Sequence, residues 1–322
     1  IIHPTCIRVM NNPNTSSMND GMYIGYGNGS SGATRIFGGG TTSGGLVITG
    51  NGSNDLQFNG NRVLTVLDLP SQGTKITATG GNQINTVNNH KVHYFAGSGT
   101  FEITAGAGEV EVLIIAGGGS EGGAGSGCHA GGGGGGGGIV NRFVTLGIGK
   151  YYVTVGAGGV YRNNGGNSSA FGLVALGGGA GGPTLTGNGN NGGSGGGSSR
   201  HTNSNVGGTA TQPTSDAGGL GNNGGNTGPT NTNPGGGGGA GGAGGNGNSG
   251  GVGGAGKQFL QFDASGTYFG AGGNGNTSGG SQGQTQASTN GAGNTGAGAG
   301  GSPGGGTRYS GGSGRVMIRY PI

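Results

Sequence analysis

Ninety-eight of the 322 residues are Gly, and a residue without a side chain brings nothing to a hydrophobic core. Whatever orders such a chain is therefore mostly backbone hydrogen bonding. Length alone would allow about two domains at ~150 residues each. With 28% hydrophobic residues and no Trp, however, one large apolar core is excluded. Fixing a backbone costs ~1 to 2 kcal/mol per residue, so ordering the glycines opposes folding by on the order of 100 kcal/mol. Disorder is the default unless a particular ordered state offsets that cost. One state suits Gly: the extended polyglycine II helix, with three residues per turn and ~3.1 Å rise, whose N–H and C=O groups all point outward. Such helices pack into a lattice and satisfy those groups on one another, provided no Cβ holds them apart.

The glycines lack the triplet period of collagen, because runs such as Gly131 to Gly138 interrupt it and only 9 residues are Pro. At polyglycine II rise that run spans ~25 Å, and comparable stretches recur at 117–127, 187–197, 235–256 and 291–306. Between them lie short segments, 128–130, 183–186, 198–206, 209–216, 227–234 and 281–290, expected to turn at the ends of a stacked array. Loops displayed on a rigid scaffold are where binding function usually lives.

The remaining chemistry is sparse. Only nine acids are present, and beyond Glu121 only Asp216 and Asp263 remain, so no paired-carboxylate or nucleophile–His–acid constellation assembles. Cys128 and His129 are sequence neighbours that point apart on an extended chain. His90 and His93 face opposite sides of a strand and cannot share one metal ion; they read as two surface histidines at a domain junction. The Gly runs lead into no helix and hold no Gly-Lys-Ser/Thr, so no phosphate loop is present. The expectation is a non-enzymatic protein without cofactor or metal. The 13 Lys and Arg residues giving a net charge of +4 are scattered singly, and no Arg precedes Gly-Gly, which argues against nucleic-acid binding. No apolar run reaches the ~18 residues of a membrane span and no signal segment opens the chain, so membrane insertion is not expected. Cys6 and Cys128 form no disulfide framework. Ile1 in place of Met is what a fragment or processed product would show.

The fold class expected is mainly β without an α-helical domain. Short β-branched or aromatic runs at Met22–Tyr26, Thr34–Phe37, Leu46–Thr49, Leu56–Phe58 and Arg62–Thr65 alternate with Gly-Asn turns. Their strands are too short and polar to form a core alone, which favours a β-structured shaft completed by two further copies. Residues 1–68 are assigned to this shaft and the polar, Gly-punctuated stretch 69–89 to a linker. Residues 90–322 form a second domain, with strands at Val92–Phe95, Thr100–Thr104, Glu109–Ala116, Ile139–Leu146, Tyr151–Val155, Ala170–Leu176 and Arg315–Tyr320. The last strand is expected to pair with the early ones, with polyglycine II helices in 117–138 and 177–314.

Four segments carry a family resemblance: Val92-His93-Tyr94-Phe95-Ala96-Gly97-Ser98-Gly99-Thr100-Phe101, Val110-Glu111-Val112-Leu113-Ile114-Ile115-Ala116-Gly117-Gly118-Gly119, Tyr152-Val153-Thr154-Val155-Gly156-Ala157-Gly158-Gly159 and Gly311 to Tyr320. Together they resemble the glycine-rich domain of bacteriophage tail-fibre and adhesin proteins. Phe58-Asn59-Gly60-Asn61-Arg62-Val63-Leu64 is similar to tail-fibre shaft repeats. The resemblance implies a homotrimeric fibre tip on the virion, joined to upstream fibre or virion proteins, whose inter-helix loops contact a bacterial outer-surface receptor, either an outer-membrane protein or lipopolysaccharide. In the T-even-type tip adhesins the glycine-rich subunit is separate, whereas here a shaft-like segment precedes it in one chain. The alternative is a structural glycine-rich or ice-binding protein without receptor recognition.

The loop positions that follow are Arg200, His201, Asn203, Asn205, Gln212, Asp216, Thr230, Asn231, Asn233, Gln284 and Gln286, together with Tyr161 and Arg162. Arg200 lies alone between Arg162 and Lys257, suited to a phosphate or carboxylate, and the amides and hydroxyls suit sugar hydroxyls. The aromatic segment 257–269 reads as packing before interface.

Overall fold

The structure is a computed structural model. It describes the backbone of residues 35–38, 46–49, 55–58 and 61–65, and residues 75–123, 130–184, 187–200, 205–212, 219–228, 233–275, 282–284, 289–302 and 308–322 in full. The chain forms two compact units, Ile1–Gln72 and Gly73–Ile322.

In the first unit, β1 (Arg35–Gly38) pairs antiparallel with β2 (Leu46–Thr49), and β3 (Asp55–Phe58) with β4 (Asn61–Thr65). Strands are expected there because β-branched and aromatic residues alternate between turn-forming pairs such as Asn59-Gly60. The Met22–Tyr26 expectation lies outside the described residues.

The second unit carries two antiparallel sheets. Its strands are β5 (Thr77–Thr79), β6 (Gln83–Val87), β7 (His90–Phe95), β8 (Gly99–Ala105), β9 (Gly108–Ile115), β10 (Ile139–Leu146), β11 (Gly149–Thr154), β12 (Ser168–Ala170), β13 (Leu173–Ala175), β14 (Gly219–Leu220) and β15 (Arg315–Pro321). The six-stranded sheet runs β14-β10-β9-β15-β7-β6 and the five-stranded sheet β13-β12-β11-β8-β5. As expected, the C-terminal strand pairs with early ones: β15 lies between β7 and β9. The stretch read as a linker instead contributes β5 to one sheet and β6 to the other. No α-helix occurs among the described residues; a single 3-10 turn spans Gly247–Ser249.

The hydrophobic residues concentrate on the six-stranded sheet because both of its faces are covered. Phe95, Val110, Val112, Ile114, Val316, Ile318 and Tyr320 meet Phe101, Ile103, Val153, Ala170 and Ala175 of the other sheet. Val92, Leu113, Ile115, Ile139 and Met317 meet Phe259, Phe262 and Phe269. The continuous apolar run of β9 follows from this, since a strand buried on both faces loses the alternation of a half-exposed one. Segment 257–269, closed by the Lys257–Phe269 bridge, thus packs as a lid on the sheet. Beneath it Arg319 pairs with Glu111, its direct cross-strand neighbour.

The glycines form the expected array. In Gly131–Gly138 the N–H donors turn through three directions with a period of three. Gly131, Gly134 and Gly137 donate to Ser302, Ala299 and Gly296; Gly132, Gly135 and Gly138 donate to Gly182, Gly179 and Leu176; Gly133 and Gly136 donate to Gly235 and Gly238. The carbonyls turn through three more. Gly132, Gly135 and Gly138 accept from Gly122, Gly119 and Ala116, Gly133 and Gly136 from Gly197 and Ser194, and Gly134 from Gly273. This segment therefore sits among six neighbours, with the three-residue register of polyglycine II. A Cβ at Gly132, Gly133, Gly134, Gly136 or Gly137 would overlap a neighbouring backbone carbonyl, which is why no other residue fits.

Stretch 235–256 is not a single helix. It reverses near Gly239–Gly242 and again at the 3-10 turn, so that Gly236, Gly245 and Val252 lie side by side. At the array margin asparagine replaces backbone. Asn188 Oδ1 accepts the N–H of Val206 while Gly189 donates to the Val206 carbonyl, and Asn191-Gly192 grips Thr209 in the same way. Asn246-Gly247 on Asn226 and Asn290-Gly291 on Ser310 repeat the clamp.

Candidate functional site

The register of the array gives it two ends. Ala116, Gly138, Leu176, Gly296 and Gly314 stand beside the sheets, whereas Gly122, Ala130, Gly182, Arg200, Ser302 and Tyr309 stand at the far end. The described residues that flank 124–129, 201–204, 229–232 and 303–307 lie at this far end.

The fully described part of the far end centres on a tight turn at Val160–Asn163. The Asn163 N–H and its side-chain amide both donate to Val160 O, at 3.3 and 2.9 Å. The central residues Tyr161 and Arg162 have φ of 39° and 61°. Turns with positive φ at both centres ordinarily hold Gly or Asn, and each L-residue there costs roughly 1–2 kcal/mol. The turn is anchored to the first array segment by Ser120, whose N–H and hydroxyl both donate to Asn163 O.

Two guanidinium groups flank this turn. Arg308 lies over the Tyr161 ring, 3.6 Å from its centroid, and Arg162 lies 5.2 Å from the same centroid. Arg162 also donates through Nε to Gly122 O at 3.1 Å. Behind them Glu121 is fully buried. One carboxylate oxygen accepts the Tyr309 N–H at 3.4 Å, and Oε2 has no hydrogen-bond partner. Burial pushes the Glu121 carboxyl above the usual carboxylate range, against the opposing pull of the Tyr309 and Gly123 amides and the charges of Arg162 and Arg308. The carboxyl thus lies above its ordinary range while still feeling the charges of both arginines.

The other positions read from the sequence divide by location. Arg200 is half-buried at the far end, its N–H bonded to Ala130 O at 3.0 Å, and Asn233 is half-buried beside Gly247 at that end. Asn205 is also there but buried, donating to Ser199 O. Gln212 and Gln284 sit instead at the sheet end. The buried Gln212 amide oxygen accepts the Leu176 N–H at 2.8 Å, and Gln284 accepts the N–H of Gln282 in a local turn. The reason is that segment 205–211 runs back toward the sheets, so consecutive turns fall at opposite ends. The amides of Asn205 and Gln212 thus serve the array and do not line a surface. His201, Asn203, Asp216, Thr230, Asn231 and Gln286 lie outside the described residues, as do Cys128 and His129.

His93 corrects a reading. It is not a surface residue but fully buried in β7, with Nδ1 2.8 Å from Gly80 O and Nε2 3.0 Å from the Tyr320 hydroxyl. The face of β7 that carries it packs on the five-stranded sheet, where the Phe101 ring of β8 lies 5.1 Å from the imidazole. Among the described residues no group of His, Cys, Asp and Glu side chains is placed to hold a metal ion.

Glu121 and Arg308 are the members of the cluster that sequence reasoning missed. Their signal was a lone charge inside or beside a glycine run, Glu121 between Ser120 and Gly122 and Arg308 two residues after Gly306.

No curated protein matches the chain. The model that does match, over residues 95–321, is that of the glycine-rich domain. Its limits fall at the last residues of β7 and β15, so it takes in β8 to β15 and the array, while β5, β6 and most of β7 precede it. The chain is a member of the glycine-rich domain family.

Proposed function

We propose that this protein is a non-enzymatic receptor-binding adhesin of a bacteriophage tail fibre, acting on the virion and docking to a bacterial outer-surface receptor, a protein or lipopolysaccharide. The observation that carries the reading is the six-neighbour register of Gly131–Gly138. It makes a rigid slab from residues that contribute no recognition chemistry, and the described residues flanking several polar segments lie at one end of it, as a scaffold carries binding loops. The short antiparallel hairpins of the first unit suit a shaft built from three chains and attached to upstream fibre proteins. Three tips on one fibre would raise avidity without strong single-site affinity.

The test is retention of the purified chain on whole bacteria across a panel of surface types. The comparison is a variant in which 201–204 and 229–232 are replaced by Gly-Ser, sparing Ser198, Ser199, Asn205 and Thr227, which are buried in the array. Binding by the parent and its loss in the variant, with sedimentation and circular dichroism unchanged, is the expected result. Equal retention of both would remove these loops from recognition. Retention of neither on any strain would favour a structural or ice-binding role.

A further inference from the structure

We propose that Arg162 and Arg308, set about Tyr161 at the far end of the array, form a binding site for an oxyanion carried on a sugar, a phosphate or a carboxylate. The inference rests on the adhesin reading for its biological setting and on the geometry for its chemistry.

Three independent features converge there. Tyr161 and Arg162 occupy left-handed backbone positions that Gly or Asn would fill without strain, and strain of this kind collects at functional sites. The exposed Arg308 guanidinium lies over the exposed Tyr161 ring, 3.6 Å from its centroid, a contact that localises the group, and among the described residues it donates to no carboxylate. The planar fork of a guanidinium matches two oxygens of a phosphate or carboxylate. Finally, the buried Glu121 keeps one carboxylate oxygen without a partner and forms no ion pair with either arginine among the described residues. Neither arginine is therefore tied to this carboxylate, and both guanidinium groups remain for a ligand. Gly123, with φ of 74°, leaves the space that the Arg162 side chain fills, since a Cβ there would meet its Nε at 3.0 Å. Tyr161 and Arg162 are positioned by the turn; Arg308 and Arg162 are the groups that would touch the ligand.

The experiment is an NMR titration of the full chain with inorganic phosphate, with glucuronate, and with glucose as the uncharged control. Shifts confined to Tyr161, Arg162, Arg308 and their neighbours are expected with both anions and not with glucose. Arg308→Gln should weaken binding at least about tenfold, and Arg308→Lys should recover only part of it, because a lysine keeps charge but not the stacked fork. Glu121→Gln should retain binding. Unmoved signals in the parent protein, or full binding by Arg308→Gln, would overturn the site. Phosphate but not glucuronate binding would assign a phosphorylated sugar, and the reverse a sugar acid. Whole-cell retention separates the two readings. Retention without oxyanion binding removes this site and leaves the adhesin, whereas oxyanion binding without retention on any strain leaves the site and removes the adhesin.

Discussion

At the residue scale glycine acts through what it lacks. A Cβ at Gly134 would overlap the carbonyl of Gly119, whereas at Gly147 it would meet nothing. Gly134→Ala should therefore cost ~1–3 kcal/mol through overpacking, and Gly147→Ala should be neutral or slightly stabilising; thermal unfolding of the two variants checks the contrast. Asparagine works by addition, since its amide stands in for a peptide group wherever the lattice ends, and buried Asn274 does so for Gly253 with a 2.8 Å bond. Burial also governs His93, whose titration is held below the ordinary histidine range by desolvation, opposed by its bond to Gly80 O and aided by Lys91. The native state then binds fewer protons than the unfolded state. The resulting stabilisation is complete above the unfolded value near 6.5 and is lost as pH falls through the lower folded value. Unfolding followed from pH 7 downward should show that loss, and His93→Gln should flatten it. Glu121 acts in the opposite sense, because its raised folded value favours the native state at low pH and the gain fades as pH rises through it.

At the element scale the lid is the clearest dependence. Phe262 is fully buried against the six-stranded sheet, and its carbonyl accepts the Tyr94 hydroxyl at 2.5 Å. Phe262→Ala should cost ~3–5 kcal/mol, whereas Leu260, 55% exposed on the same segment, should tolerate Ala within about 0.5 kcal/mol. Chemical denaturation distinguishes them. The strands carrying this core were legible in the sequence: Ile139–Leu146 was read with its observed limits, and β9, β11 and β15 within one or two residues. Ala170–Leu176 was read as one strand but forms the β12–β13 hairpin, because Phe171 and Gly172 both take positive φ and Phe-Gly carries no common turn signal. Strands β5 and β6 were missed because they are short and mostly exposed, and so carry little of the alternation that marks a strand. The far-end cluster was half legible. Tyr161-Arg162 stands out after a glycine turn, but nothing local brings Glu121 and Arg308 to it; that juxtaposition comes from lattice neighbours far apart in sequence.

At the scale of the whole molecule, a composition near one-third glycine gives an ordered slab because, among the described residues, most of its peptide groups bond to other segments, leaving side chains for the margins. That account stands on the six-neighbour register of Gly131–Gly138, and amide hydrogen exchange of the native chain tests it most directly. The account predicts that the amides of Gly132–Gly137 exchange as slowly as those at the centre of β9, since opening any one disturbs its neighbours. Exchange of these glycines at the rate of an unstructured chain, with β9 still protected, would contradict it.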